Sequence, residues 1–413
     1  MTGRKVLQLS TYPIHQRVSG GQRRAGAIYD GYRRAGFDVR YLTICDPGAH
    51  PEAVGRADTF LIGPQARAAN SRQPFLIDVT TGEMFAVERE CLDPLARFWN
   101  RFKPDFVQIE HCYLWPGVNR LFEDGQVERV PVVCSSHNHE TAMKLGLYER
   151  MLPPHERSEA VKRVRQAETD LTCSASLVIA VSPSDAEVFR GMGARRVDIV
   201  RNGSDRVSVK AETVDRWRKE LLSDGTRAFA LFVSSNHVPN FVGFQDLAGD
   251  LLAYLPPDAC IAVVGGICEH MERQPAFNER MKLNRSRMRL LGKGPSDADL
   301  AAIVQLANVI LLPITDGGGS NIKTVEALLS GRPIVGTSFA FRSYEEFKSL
   351  ERVTIRDSAA EFRASIQKAV LESHRPSATP EPELEEITWP RLGDRFARLV
   401  SEHFDETANR QAA

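Results

Sequence analysis

The chain has 413 residues, which is too long for one ordinary core and suits two domains of roughly 200 residues each. Hydrophobic residues make up 42% of the sequence and charged residues 26%, a composition that excludes a globally disordered chain. Lys plus Arg equals Asp plus Glu at 53 each, so the chain lacks the basic surplus typical of nucleic-acid-binding proteins.

Cysteine usage and hydropathy predict a cytoplasmic protein. The seven cysteines are scattered, with no Cys-x-x-Cys pair, as expected for reduced thiols. The apolar run near the start is too short for a signal peptide, and no segment approaches the about 18 apolar residues that span a bilayer. Residues 1–40 hold eight Lys or Arg and two Asp. This predicts either a solvated helix face or a basic rim that attracts an anionic acceptor or an anionic membrane.

In the first half of the chain, short β-branched runs alternate with amphipathic segments. The first strand is predicted at Val6–Leu9, and a loop containing Gly20 and Gly21 follows it. A helix comes next, because Ala25, Ile28, Tyr32 and neighbouring apolar residues recur at helical spacing. Further strands are predicted at Val39–Thr43, Phe75–Val79, Phe106–Glu110, Val130–Ser135, Val178–Ser182 and Val197–Arg201.

The same pattern then restarts. A strand at Phe229–Ser234 and a helix at Asn240–Leu252 begin the second half, and another helix opens near Ser296. A Pro- and Glu-rich stretch at Arg375–Glu386 resembles a linker, and a last amphipathic helix starts near Trp389. The remaining strands are predicted at Cys260–Val264, Met288–Leu291, Val309–Pro313 and Pro333–Gly336.

Together these elements predict an α/β protein with two Rossmann-like, doubly wound domains. We expect the first domain at residues 1–204, the second at 205–374, a linker at 375–387 and a terminal helix at 388–413. Ligands of such sheets bind beyond the carboxyl ends of the strands, so a cleft between facing domains is the expected site.

One segment, DGGGSNIKTVEALLSGRPIV from Asp316 to Val335, carries the most functional information. Glycines between a strand and a helix let backbone N–H groups approach an anion, which the helix N-terminus also favours. Lys323 in the first helical turn opposes the helix dipole unless an anion is bound. Alternatively, the segment is a flexible turn followed by a surface Lys323–Glu326 pair.

This segment resembles the donor-binding signature of glycosyltransferase family 4, which has the GT-B fold. Other segments are similar to the family in the same order: VVCSSHNHET, IVRNGSD, ALFVSSNHVPNFVGF and LLGKGPSDADLAAIVQLANVILLP. The helix from Trp389 resembles the GT-B segment that crosses back to the first domain. The resemblance covers most of the chain.

The resemblance implies the donor site. Glu326 is expected to hold the ribose hydroxyls, and Lys323 is expected to act in catalysis beside the diphosphate. A plain turn remains the alternative for the base-side pair Gly292 and Lys293. The donor-binding candidates are Gly20, Gly21, Gly292, Lys293, Gly318, Gly319, Ser320, Asn321 and Glu326.

In the first domain, the resemblance implies that His137 is a catalytic residue that bonds a donor-sugar hydroxyl or makes a backbone contact near the reacting centre. A core histidine is the alternative. Glu110 and His111 end the preceding predicted strand, Glu140 lies just past His137 in the sequence, and any of these three could touch the acceptor. Candidates for acceptor or phosphate contacts are Arg23, Arg24, Glu110 and Asn138.

The sequence departs from the family pattern at two places. Gly318 stands where many members have the first of two glutamates, so this is a Gly-rich variant of the signature. The loop from Ser234 to Asn240 has no Arg or Lys for the diphosphate, which leaves Lys323 as the expected main cation.

The resemblance implies a retaining glycosyltransferase that acts on a glycan, lipid-linked or small-molecule acceptor in glycan or glycoconjugate assembly. No cofactor is expected, and no metal, because Asp-x-Asp and zinc-type spacings are missing from the sequence. The alternatives are a nucleotide-sugar epimerase or phosphorylase of the same fold, and a non-catalytic nucleotide-sugar binding protein. A dehydrogenase is disfavoured, since Gly-x-Gly-x-x-Gly does not follow the first strand.

Overall fold

The chain divides into two compact units in a computed structural model, which describes residues 3–236, 238–249, 251–274, 279, 283–284, 287–317, 320–372 and 381–412. The first unit consists of Met1–Asn202, Gly318–Ser320 and Trp389–Ala413. The second unit consists of Gly203–Gly317 and Asn321–Thr388.

The first unit is built on a seven-stranded parallel sheet with the strand order β3-β2-β1-β4-β5-β6-β7. Its four central strands are buried on both faces, as is usual for parallel sheets covered by helices. The strands are β1 (Lys5–Ser10), β2 (Asp38–Cys45), β3 (Thr59–Leu61), β4 (Phe106–Glu110), β5 (Val132–Ser135), β6 (Leu177–Ala180) and β7 (Val197–Ile199).

Helices connect these strands and cover the sheet. Val6 and Phe106 point to the face that packs against Ile28 and Tyr32 of the first helix, whereas Leu7 points to the opposite face. The helices are α1 (Gly20–Arg34), α2 (Pro64–Arg72), α3 (Ile77–Val87), α4 (Arg89–Phe102), α5 (Trp115–Glu123), α6 (Glu140–Met151), α7 (Pro154–Ser174) and α8 (Pro183–Gly191).

The second unit contains a six-stranded parallel sheet with the order β10-β9-β8-β11-β12-β13. The strands are β8 (Ala228–Val233), β9 (Ala259–Val264), β10 (Met288–Leu290), β11 (Val309–Leu312), β12 (Ile334–Gly336) and β13 (Val353–Ile355). The helices are α9 (Ala211–Leu221), α10 (Val238–Leu247), α11 (Ile267–Arg273), α12 (Asp297–Leu306), α13 (Ile322–Leu329) and α14 (Ala359–Leu371).

The last helix, α15 (Trp389–Ala412), packs against α1 in the first unit, which confirms the predicted return of the chain. Glycines allow the two backbones to meet: a Cβ atom on Gly31 would lie 2.2 Å from the carbonyl oxygen of Gly393. Trp389, Leu392 and Phe396 are buried in the same core cluster as α1. The salt bridges Arg34–Asp394, Arg4–Asp405 and Arg196–Glu406 link the helix to the rest of the unit.

Two sequence expectations about the first unit are wrong. Phe75–Val79 is not a strand, because a 3₁₀ turn at Pro74–Leu76 leads directly into α3, where Val79 and Phe85 are buried. The short, half-buried segment Thr59–Leu61 supplies the third strand instead. Gly20 and Gly21 do not lie in a loop, since α1 begins at Gly20.

The second unit also differs in detail from the expectations. The helix predicted at Asn240–Leu252 is Val238–Leu247, and β13 at Val353–Ile355 was not predicted. Of the predicted linker, residues 375–380 lie outside the described residues. Pro382–Ile387 forms a 3₁₀ helix with Leu384 and Ile387 buried.

Among the helices that the structure describes, none is both long and apolar enough to cross a membrane.

The basic segment at the start of the chain, residues 1–40, forms several salt bridges. Four of its eight basic side chains form salt bridges, in the pairs Arg4–Asp405, Arg17–Asp30, Arg34–Asp394 and Arg40–Asp38.

Candidate active site

In the first unit, polar side chains meet at the carboxyl ends of three neighbouring strands. Tyr12 follows β1, Glu110 and His111 lie at the end of β4, and His137 follows β5. The carboxyl ends of adjacent parallel strands lie at one edge of a sheet, which is where α/β folds place their ligands. We call Tyr12, Glu110, His111, His137 and Glu140 the strand-end cluster.

Glu110 and His137 form a buried pair within this cluster. His137 Nε2 lies 2.7 Å from Glu110 Oε2, and the two side chains are 5% and 0% exposed. The other carboxylate oxygen of Glu110 accepts hydrogen bonds from the side-chain amides of Gln8, at 2.7 Å, and Gln108. Burial raises the pKa of Glu110, but the hydrogen bond from His137, helped by the Ser135 side chain and the charge of Arg24, outweighs burial and holds this pKa below its usual value.

His137 is held in the neutral form. Burial, together with the charge of the nearby His111, lowers the pKa of His137 to about 4, although Glu110 acts in the opposite direction. The rings of His111 and His137 are 4.0 Å apart between centroids. The Tyr12 hydroxyl lies 2.9 Å from His137 Nδ1. Both ring nitrogens of His137 therefore have protein partners.

His111 and Glu140 form the second ionic pair of the cluster. His111 Nδ1 lies 3.2 Å from Glu140 Oε1, and its Nε2 lies 3.1 Å from the Tyr12 hydroxyl. Burial lowers the pKa of His111, but the neighbouring Glu140 raises it by more than burial lowers it. The pKa of His111 therefore lies above its ordinary value. Burial opposes the ionisation of Glu140, yet His111, Lys144 and Tyr113 lower its pKa to about 2.

Backbone geometry helps to hold this pair together. His111 has a left-handed φ of 64°. Glu140 is the first residue of α6, where the helix dipole favours a carboxylate. The side chain of Asn138 donates to Glu140 Oε1 at 3.3 Å, so this candidate residue also lies at the cluster.

Gly21 lies directly against the strand-end cluster. A Cβ atom added there would be 2.9 Å from the Tyr12 hydroxyl oxygen and 3.3 Å from His137 Nδ1. The start of α1 is fixed by a capping box between Ser19 and Gln22. The sequence Ser-Gly-Gly-Gln contains this signal, which could have identified Gly20 as the first helical residue.

The two candidate arginines that follow have different environments. Arg24 is 1% exposed, and its Nη1 donates to the carbonyl oxygens of Val200, at 2.8 Å, and Arg201, at 3.2 Å. It therefore ties α1 to the chain after β7. Arg23 is half-buried, and its Nε donates to the Arg17 carbonyl at 3.2 Å. That Arg23 or Arg24 contacts a phosphate stays a prediction.

In the second unit, Lys323 and Glu326 are placed on α13 as the sequence predicts. Lys323 lies in the first turn, and Asn321 is the N-cap residue. Burial and the charge of Arg342 lower the pKa of Lys323, while Glu326 raises it. Glu326 is exposed and lies off the buried face formed by Val325 and Leu329. Gly318 and Gly319 lie outside the described residues.

Arg342 is a cation near this turn that sequence reasoning missed. The hydroxyl of Thr324 on α13 donates to the carbonyl of Ala340 at 2.7 Å, which fastens the 3₁₀ turn before Arg342 to the start of the helix. A Cβ atom on Gly317 would lie 4.0 Å from Arg342 Nη2. The guanidinium also stacks over Phe339, 4.4 Å from the ring centroid. An arginine shortly after the strand Ile334–Gly336 was the available signal.

The other candidates lie near strand ends with less distinctive contacts. Gly292 has a left-handed φ of 62°, and its carbonyl accepts a hydrogen bond from Gly265 N at 2.7 Å. Lys293 forms an exposed salt bridge with Glu269 at 2.8 Å. Ser320, assigned to the first unit, accepts a hydrogen bond on its hydroxyl from Asn202 N at 3.0 Å.

Chemically, the strand-end cluster can hold and move a proton, and Lys323 with Arg342 can attract an anion. Within the described residues, His, Cys, Asp and Glu side chains form no group of three or more that could hold a metal ion. The absence of a metal requirement stays a prediction.

Comparison with known proteins finds a family match within the first unit. Residues 19–203 match the family model described as a glycosyl transferase 4-like domain. This segment includes Gly20, Gly21 and all members of the strand-end cluster except Tyr12. Among curated protein sequences, none matches the chain.

Solved structures resemble the chain over almost its whole length. The structure of Anabaena Alr3699/HepE in complex with UDP has 16% identity and a TM-score of 0.57, covering 99% of each chain. Sucrose-phosphate synthase from Thermosynechococcus elongatus has 13% identity and a TM-score of 0.60, over 99% of this chain and 98% of that one. Trehalose-6-phosphate synthase OtsA has 14% identity and a TM-score of 0.63, over 97% and 99%. The fold is therefore the two-domain GT-B fold.

Proposed function

We propose, from the premise that residues 19–203 form a glycosyl transferase 4-like domain, that the protein transfers a sugar from a nucleotide-diphosphate sugar to an acceptor hydroxyl. We further propose that the anomeric configuration is retained and that the product is a glycan or glycoconjugate. The observation that carries the proposal is the buried Glu110–His137 pair, which this domain places at the carboxyl ends of β4 and β5.

The first unit supplies polar groups of the type that a sugar-transfer reaction needs. A sugar carries hydroxyl groups, and neutral imidazole, phenol and carboxylate groups bind them by hydrogen bonds. Gly21 lets the start of α1 approach the Tyr12 hydroxyl and His137 closely, because a Cβ atom at this position would lie 2.9 Å from the Tyr12 hydroxyl oxygen. In the proposed reaction, His137 acts near the reacting centre, and Asn138 with Glu110 maintains the cluster around it.

The second unit supplies groups that suit a nucleoside diphosphate. Lys323 and Arg342 bring two positive charges to the first turn of α13, and a diphosphate gains negative charge as the sugar bond breaks. The exposed carboxylate of Glu326 lies one turn further along the helix and can accept bonds from two ribose hydroxyls. The complexes of HepE with UDP and with UDP-glucose support a nucleotide sugar as the donor here.

The experiment has a binding arm and a turnover arm. The purified chain is screened by thermal shift against UDP, GDP and ADP sugars, since a ligand that binds only the folded state raises the melting temperature. The donor that gives a concentration-dependent rise is then incubated with sugar and lipid-linked acceptors, and released nucleoside diphosphate and glycosylated product are measured. Product formation that depends on the acceptor supports the proposal.

A matched pair of variants makes the binding arm specific. Glu326→Ala should abolish the thermal shift, whereas Glu351→Ala, which removes another exposed glutamate of the second unit, should leave it unchanged. A donor that is epimerised without an acceptor would indicate an epimerase. Binding without any turnover would indicate a binding protein, and no binding of any nucleotide sugar would reject the proposal.

A further inference from the structure

The hydrogen bonds of the strand-end cluster determine where its protons lie. Glu110, held ionised below its usual pKa, can only accept, so His137 Nε2 carries a hydrogen and donates to it. The Tyr12 hydroxyl lies 2.9 Å from His137 Nδ1 and 3.2 Å from His137 Nε2. Because the hydrogen on Nε2 is directed to Glu110, the lone pair of a neutral His137 is on Nδ1, and Tyr12 is assigned as the donor to it.

The remaining bonds of the cluster follow from this one. Because the single hydroxyl hydrogen of Tyr12 points to His137, the Tyr12 oxygen accepts from His111 Nε2 at 3.1 Å. His111 Nδ1 faces Glu140 Oε1 at 3.2 Å, and this carboxylate also accepts from the Tyr113 hydroxyl at 2.6 Å. Both nitrogens of His111 thus carry hydrogens, which makes His111 an imidazolium.

We propose that His111, Tyr12 and His137 form a relay that holds one proton, stored on His111 and transferable to His137 through the Tyr12 hydroxyl. Two charged imidazoles with centroids 4.0 Å apart would repel each other strongly in a buried site, so one ring at a time carries the charge. Each ring has its own carboxylate, Glu140 for His111 and Glu110 for His137, so the charge is compensated at either position.

The transfer balances without any other reactant. The Nε2–H bond of His111 breaks as a new O–H bond forms on Tyr12, while the original Tyr12 O–H bond breaks and its proton binds His137 Nδ1. No electrons leave the cluster and its net charge is unchanged. The use of the relay rests on the proposed function, in which a positive charge delivered to His137 would act near the reacting centre.

Other charged and titratable groups surround the relay and set its balance. Those that act on His111, His137 or their carboxylates are Arg24 on α1, Asp78 on α3, Glu110 at the end of β4, Tyr113 before α5, Glu140 and Lys144 on α6, and Glu168 on α7. Lys144 is itself paired with Asp78 at 2.6 Å. The carboxylate bonded to His111 Nδ1 is therefore the group whose removal should redistribute the proton.

The first test uses the whole protein and needs no substrate. With ¹⁵N-labelled histidine, NMR should show His111 as an imidazolium and His137 as the neutral Nε2–H tautomer at pH 7. Glu140→Gln should remove the imidazolium signal of His111 and move the titration of His137 upward in pH. A neutral His111 in the unmodified protein, or unchanged titrations in Glu140→Gln, would overturn the relay.

The second test separates the relay from a structural role of Tyr12. Tyr12→Phe should change the Nδ1 resonance of His137 and lower kcat at least tenfold, with a smaller change in donor Kd. Its control is Tyr41→Phe, because the Tyr41 hydroxyl donates at 2.9 Å to the backbone carbonyl of Tyr12 and not to a histidine. Equal effects of the two variants would contradict the proposal. If no donor is turned over, the proposed function fails, and the NMR results still decide the relay.

Discussion

The carboxylate of Glu110 is predicted to stabilise the first unit by its capacity to accept hydrogen bonds, and Glu110→Gln tests this with little change in shape. Glu110 is fully buried and accepts from His137 Nε2, Gln8 Nε2 and Gln108 Nε2. A glutamine offers one acceptor oxygen, and its amide N–H₂ would face at least one of these donors. At least one buried donor would lose its partner.

The magnitude follows from the bonds that are lost. A buried polar group left without a partner costs about 1–3 kcal/mol, and bonds to charged groups are worth about 1.5–3 kcal/mol each. Removal of the buried charge recovers some desolvation energy. We expect Glu110→Gln to lower the free energy of unfolding by about 3 kcal/mol, which corresponds to a melting temperature lower by about 6–12 °C for a domain of this size.

Tryptophan fluorescence during urea unfolding is the suitable assay. Of the four tryptophans, Trp99, Trp115 and Trp389 lie in the first unit, so the signal reports mainly on it. Glu123→Gln is the matched control, because Glu123 is exposed on α5 and bonds Asn119 at 2.7 Å. Its effect should stay within about 0.5 kcal/mol. If the two variants unfold at the same urea concentration, the hydrogen bonds that Glu110 accepts do not stabilise the first unit as predicted.

This difference should depend on pH with a defined sign. Burial raises the pKa of Glu110, but His137 lowers it more, so the folded value lies below the unfolded one. The stabilisation is therefore complete above the unfolded pKa of about 4.3 and is lost as the pH falls through the folded pKa. The destabilisation caused by Glu110→Gln should shrink in that acidic range.

Four further outcomes are expected. Lys323→Ala should lower kcat by about a hundredfold, equivalent to about 3 kcal/mol, with a smaller change in donor KM. Lys323→Arg should recover part of the lost kcat. A near-normal kcat in Lys323→Ala would show that another cation stabilises the diphosphate. Glu326→Ala should weaken donor binding by about 2–4 kcal/mol without changing the melting temperature of the ligand-free protein, which calorimetry can check. Transfer should survive excess chelator, and activity restored only by magnesium or manganese would refute this. Because Glu140 outweighs burial and raises the pKa of His111, the stabilisation by His111 should be present below about pH 6.5 and lost as the pH rises through the folded pKa. His111→Asn, which tolerates the left-handed backbone, should thus destabilise more at pH 6 than at alkaline pH, as measured by urea unfolding.

Local sequence patterns were sufficient to predict most of the parallel strands. Phe106–Glu110 was predicted with the observed bounds, because a short apolar run between turn signals can bury both faces of a strand. The same criterion failed at Phe75–Val79, which is equally apolar but continues into α3. Strand and helix are hard to tell apart in a short apolar run, and packing against the sheet decided between them.

The site was predicted in parts. His137 was a candidate because it matches the cleft histidine of the family that the sequence resembles, and Glu110 because it ends the preceding predicted strand. Lys323 and Glu326 were candidates from the Gly-rich segment and its resemblance to the donor-binding signature. Tyr12 was missed because it lies 125 residues from its partner His137 in the sequence. Arg342 was missed for the same kind of reason, since a hydrogen bond from Thr324 to a carbonyl 16 residues later places it near Lys323.

By itself, the sequence determined the alternation of strands and helices, the restart after the first domain and the residue types at the strand ends. These features depend on local periodicity and on turn chemistry, which a linear pattern contains. Only the tertiary structure decided that Tyr12, His111 and His137 share hydrogen bonds, and that the pKa of His111 is raised while the pKa of His137 is lowered. Protonation depends on burial and on the distances between charges, and both arise only when β1, β4 and β5 lie side by side.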